Sequence, residues 1–270
     1  MPMTKLKFKP GVISDITSYS NEGGFIDGDK VRFRFGFPEK FGGWAKLTVN
    51  TYLGTGRALH PWISLEGTKF LGLGTTWKYY VKEGTVYSDV TPIRATTTNG
   101  ITFSATDGSS TITATDSSHG AVVGDFVTIS GAASLGGNVT AAVLNQEYEI
   151  IQVPSTNTYT FTAVTTSGVT VTANSSDSGN GGSGVDGAYQ INVGLDVYVA
   201  STGWGAGTWS RGGWSTAFAV GVTAELSLWN EDNFGEDLLL NLRDGAIYYW
   251  DKSGGTSARA INLVDVAGAN

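Results

Sequence analysis

The 270-residue chain contains no cysteine, which excludes disulfides, thiolate metal sites and cysteine nucleophiles. Two histidines are too few for a histidine-rich metal centre. Charge is scarce as well: Asp, Glu, Lys and Arg make up 15% of the residues, against about 25% in a typical soluble domain. From Ala95 to Ser210 Lys and Arg are missing altogether, while the same stretch holds eight Asp or Glu. The rest is nearly balanced, with 17 basic against 16 acidic residues, so the net charge of −7 resides in the middle of the chain. That middle lacks the clustered cations needed to grip phosphates. No run of about 18 apolar residues marks a membrane helix. The start, "MPMTKLKFKPGV", lacks the apolar centre of a signal peptide, so folding in a cytosol is expected.

What the chain has in excess is glycine, 38 residues, about twice the usual ~7%. With abundant Ser, Thr and aromatics this predicts short strands and many turns, an all-β protein. "KVRFRF", Lys30–Phe35, alternates basic and apolar residues as a half-buried strand does. It places Arg32 and Arg34 on one face, a solvated surface or a docking surface for an acidic partner. Four strands are predicted around Arg57–Ser64, Lys69–Leu73, Trp77–Val81 and Thr85–Val90, a meander the size of one propeller blade. A second such unit returns near the end. Trp62, Leu71, Leu73 and Tyr79-Tyr80 are matched in order by Trp229, Leu238, Leu240 and Tyr248-Tyr249. Two blades cannot close a propeller, which needs about four to eight.

Between the two lies a cation-free island with the strands "GITFSAT", "TITATD", "DFVTISG", "EYEIIQV" and "TYTFTAV", expected as an inserted β-sandwich or small barrel. The expected layout is a discontinuous blade platform over 1–93 and 188–270, an inserted β-domain over 94–175 and a Gly/Ser-rich linker over 176–187.

Candidate chemistry is sparse. His119 lies in "TDSSHGAVVGD" beside Asp116, Ser117 and Ser118, but sequence neighbours on one tight turn cannot easily converge on a single reacting atom. A turn with polar side chains bonding local backbone accounts for every residue there. His60 precedes a proline and should be extended and half-buried. Glu231, Asp232, Glu236 and Asp237 form a carboxylate-rich loop that does not fit a calcium-loop spacing, and a solvated hairpin loop is expected. Trp204, Trp209 and Trp214 stand five residues apart on a glycine-rich segment, as interface or sugar-binding platforms or as core. Catalytic, metal and cofactor sites are not predicted.

The segments "KFKPGV…SNEGGFIDGDKVRFRFGFPEKFGGW" and "LWNEDNFGEDLLLNLRDGAIYYWD", with "GAGTWSRGGW" and "HGAVVGDFVTISG", resemble tail structural proteins of short-tailed bacteriophages. That group includes tail nozzle (tubular) proteins and packaged-DNA-stabilisation proteins, and the resemblance covers roughly 1–93 and 188–251. It implies a non-enzymatic, propeller-based ring subunit, usually hexameric, below the portal and adaptor of a virion assembled in the host cytoplasm. It implies partners in the tail (other copies, adaptor proteins, tail fibres) and genome DNA retained in and ejected through the lumen without specific binding. Arg32, Arg34, Trp204, Trp209 and Trp214 are then the candidate interface residues. The Trp triplet and the insert leave open an alternative, a carbohydrate-binding or host-surface adhesin on a virion. The carboxylate loop leaves open a polysaccharide-degrading enzyme.

Overall fold

The computed structural model describes residues 9–43, 45–180, 184–194, 226–243 and 245–266, and it is all-β. It divides into two units, Met1–Val49 and Asn50–Asn270. The platform expected over 1–93 therefore begins only after Val49.

In the first unit β1 (Val31–Arg34) and β2 (Phe37–Lys40) form an antiparallel hairpin. Arg32 and Arg34 share a face as predicted, with Arg32 Nε donating to Glu39 at 3.0 Å. Phe35 does not continue the strand. It makes a two-residue turn with Gly36, at φ of 52° and 81°, and positive φ at both positions matches the twist of the strands it joins.

The second unit opens with a four-stranded antiparallel blade of β3 (Gly56–Ile63), β4 (Lys69–Thr75), β5 (Tyr79–Glu83) and β6 (Val86–Asp89), paired in that order. The inserted domain follows. Its strands are β7 (Ile93–Thr97), β8 (Thr102–Ala105), β9 (Thr111–Thr115), β10 (Phe126–Ser130), β11 (Glu147–Glu149), β12 (Gln152–Ser155), β13 (Thr158–Thr162), β14 (Asp177–Asn180) and β15 (Asp186–Gln190). They form two sheets, β11-β10-β15-β7 and β12-β13-β9-β8-β14. Ile112 and Phe161 from one sheet meet Val127 and Tyr189 from the other in a single core, so the insert is a sandwich. "EYEIIQV" splits between the sheets, and Ile150 is buried at the corner.

The predicted linker is a correction. Asp177–Asn180 pairs with β8, and Asp186–Gln190 lies between β10 and β7. Glycine there serves close packing: a Cβ on Gly187 would stand 2.5 Å from the Ile101 side chain. Composition alone reads such a segment as flexible, but backbone pairing and the buried Tyr189 hold it in the sheet.

The chain then builds a second blade from β16 (Trp229–Phe234), β17 (Asp237–Leu242), β18 (Ile247–Trp250) and β19 (Ile261–Asn262). Both blades bury one face in a shared core that includes Trp62, Phe70, Tyr79, Trp229, Leu240 and Trp250. The predicted repeat is present as topology, but its matched residues do not superpose: the leucines are one residue out of register, the tyrosines two, and Trp62 lies opposite Phe70 whereas Trp229 lies opposite Leu242. Counted from the first hairpin of each blade, Phe70 matches Leu238, and Leu71 matches Leu239. A one-residue slip exchanges the faces of a strand. The positions of β4 that face the blade-to-blade core are Phe70, Gly72 and Gly74, while Leu71 and Leu73 lie on the opposite face, where Leu73 is buried as well. The two glycines leave room for rings: an added Cβ would lie 2.2 Å from Tyr79 Oη at Gly72 and 2.6 Å from the Trp229 ring at Gly74.

Candidate functional site

The seam between the blades is held by two indoles pointing opposite ways. Trp62 Nε1 of β3 donates to the Glu236 carbonyl at 3.1 Å, and Trp229 Nε1 of β16 donates to the Thr75 carbonyl at 2.8 Å. Trp62 stacks on Phe70 at 5.3 Å, and Trp250 meets both rings edge-on. Strand alternation places His60, two residues before Trp62, on the same inward face. His60 is extended and half-buried as expected, and its Nε2 donates to Asn233 Oδ1 at 2.5 Å.

Three polar atoms in this seam are buried without a hydrogen-bond partner among the described residues: Tyr79 Oη, Glu231 Oε2 and Asn233 Nδ2. Burial raises the Glu231 carboxyl to about 7, with His60 acting in the opposite direction. Burial, and then the Glu231 charge, push the Tyr79 phenol well above its usual value. Near neutral pH Glu231 therefore exchanges a proton inside the seam.

The carboxylate-rich loop is for the most part a strand. Glu231 points into the seam, and alternation turns Asp232 outward to solvent. Glu236 accepts from the Leu65 amide at 2.6 Å and lies 3.5 Å from Lys252 Nζ. Asp237 accepts from Tyr249 Oη at 2.5 Å and the Lys252 amide at 2.9 Å. The expected hairpin is present, with its turn at Gly235-Glu236, but it is only partly solvated: Asp232 faces solvent, Glu231 faces the seam, and Glu236 and Asp237 are half-buried in bonds to Leu65, Tyr249 and Lys252. An open cleft of about 720 Å³ lies here, lined by Glu66, Phe234, Asp251 and Lys252 among others.

His119 sits in the turn that its sequence suggests. Its Nδ1 accepts from the Ala121 amide at 3.0 Å, which places the proton of the neutral ring on Nε2, and Nε2 has no hydrogen-bond partner among the described residues. The ring packs edge-on to Tyr159 at 5.2 Å and stacks near Tyr189 at 6.2 Å. Asp116 accepts from Thr97 Oγ1 at 2.8 Å and from Tyr189 Oη, while Ser118 donates its amide to Asn157. Asp116 and Ser118 are thus committed to bonds within the sandwich.

A second seam joins insert and blades, and sequence reasoning missed it. Lys78, 1% exposed, bonds Asp89 at 2.7 Å in its own blade and Glu147 at 2.5 Å in the insert, over the Phe126 ring. Arg259 of the second blade reaches Asp89 at 2.7 Å, and Gln190 donates to Glu147. Burial works to raise the Asp89 carboxyl, but Lys78, Arg259 and Thr91 together bring it below the usual range. Lys78, Asp89, Glu147 and Arg259 span 181 positions of sequence, and no local pattern links them.

Of the candidate interface residues, Arg32 and Arg34 are exposed on the hairpin, whereas Trp204, Trp209 and Trp214 lie outside the described residues. No helix among the described residues is long and apolar enough to cross a membrane.

No family model and no curated protein matches the chain. Among solved structures it is similar to the phage phi92 endosialidase, at 14% identity and a TM-score of 0.27. That match covers 84% of this chain and 33% of the other, so the chain spans about a third of its length.

Proposed function

We propose that the protein is a structural subunit of a bacteriophage tail, a nozzle-type ring component below the portal and adaptor that lines the path of the genome. The observation that carries this reading is the second blade. Leu228–Asp251, one of the two long stretches resembling short-tailed phage tail proteins, supplies β16, β17 and β18 and docks face-on to another blade of the same topology. Blades assembled side by side around an axis are the way propeller-type sheets leave only short, protected edges. A cation-free middle suits a conduit for DNA, because it offers no phosphate-binding cluster to hold the passing strand. The role needs positioning and no chemistry. It is tested by imaging particles of the phage that encodes the chain, with an epitope tag on the protein. A ring of copies on the tail axis below the portal is expected. Tagged copies only at fibre tips, or absent from the particle, would refute the reading.

A further inference from the structure

Two of the exposed apolar surfaces among the described residues are complementary in charge and setting. One is the first unit, in which Asn21 is the single buried residue among those described. Phe35 at the hairpin tip is 90% exposed, and Phe37, Leu47 and Val49 are exposed too. Too little apolar surface is buried there to order such a segment by itself. The other surface is the outer face of β3, where alternation aligns Leu59, Pro61 and Ile63 opposite His60 and Trp62. Leu59 is 66% and Ile63 62% exposed, Leu65 extends the row, and β3 is the end strand of its sheet. An apolar row on an edge strand is a ready template for another chain.

The charges of the two units are opposite. Residues 1–49 carry eight Lys or Arg and five Asp or Glu, a net of +3, which leaves −10 for residues 50–270. Opposite charge steers encounter, and burial of apolar surface then holds the contact. A chain bearing two different complementary surfaces associates head to tail, and such contacts generate rings when the rotation closes. We propose that the Val31–Lys40 hairpin of one copy, led by Phe35 and Phe37, docks on the Leu59–Leu65 row of a second copy of this chain. This deepens the self-association within the proposed function, yet it stands or falls in purified protein. A chain that docks in this way but never enters a tail would sink the tail role alone.

The experiment places a photo-reactive residue at Phe35 of the full-length protein and co-expresses it with a differently tagged native chain. Cross-links that join the two tags and map to residues 59–65 are expected. A second native chain carrying Leu59→Ser and Ile63→Ser, both outward-facing changes, should lower their yield about tenfold while leaving the circular dichroism melt in place. Links confined to one chain, links mapping elsewhere, or no links at all overturn the proposal.

Discussion

The two seams of the second unit are built from opposite materials. Blade meets blade through indoles, a buried phenol and glycines that give the rings room. Blade meets insert through Lys78, Asp89, Glu147 and Arg259, four charges that neutralise one another around a fully buried ammonium, with the other three side chains half-buried. An aromatic seam tolerates sliding until a ring meets a backbone, so its register depends on Gly72 and Gly74. A charged seam tolerates very little, because each partner removed leaves another uncompensated. The first seam supplies binding area and the second fixes orientation.

The comparison breaks most sharply at Trp229. Trp229→Ala removes the ring that covers Gly74 and the bond to Thr75, and a loss of about 3–5 kcal/mol is expected from denaturant melts. A loss below about 1 kcal/mol would show that the blades do not depend on this seam. Next comes Lys78→Met, which keeps the bulk over Phe126 but strands Asp89 and Glu147 against Arg259 alone. About 3 kcal/mol should be lost, and pairing it with Glu147→Gln should restore part of that. Strict additivity of the two changes would mean that the ionic seam is no network.

Glu231 sharpens the contrast through pH. Its carboxyl is raised to about 7 in the fold from an ordinary 4.5, so the folded protein keeps a proton that the unfolded chain has released. Stability from this group is therefore full below about pH 4.5 and falls as pH rises to about 7. Glu231→Gln should flatten that slope, melting with the native protein at pH 4.5 and above it at pH 8. Equal melting temperatures at pH 8 would remove Glu231 as the source. The smallest effect belongs to Leu71→Ser on the outer face of β4, at about 1 kcal/mol or less, whereas the same change at the inward Leu238 should cost several-fold more.

Alternation and turn residues made the strands legible. The four strands of the first blade lie within three residues of their predicted bounds at every end, and the histidines occupy the predicted turn and strand. The repeat match fails in β4, where the sequence pairs Leu71 and Leu73 with Leu238 and Leu240 although Phe70 and two glycines covered by rings from elsewhere in the fold occupy the matching face. Local periodicity cannot report such partners. The same reason hid the ionic seam: Lys78 lies in an unremarkable turn, and its burial is decided by Glu147, 69 residues on.

The insert leaves and rejoins the blades at one point. Strands β7 and β15 are antiparallel neighbours, and the Ile191 amide donates to the Pro92 carbonyl at 3.0 Å beside them. Entry and exit lie a hydrogen bond apart, so a tight turn closing that gap would bridge the blade pair as well as the sandwich does. The junction is thus a cassette boundary. Gene segments of other lengths can be exchanged there without re-threading the blades, and lineages or engineers can vary the inserted module while the platform keeps its topology.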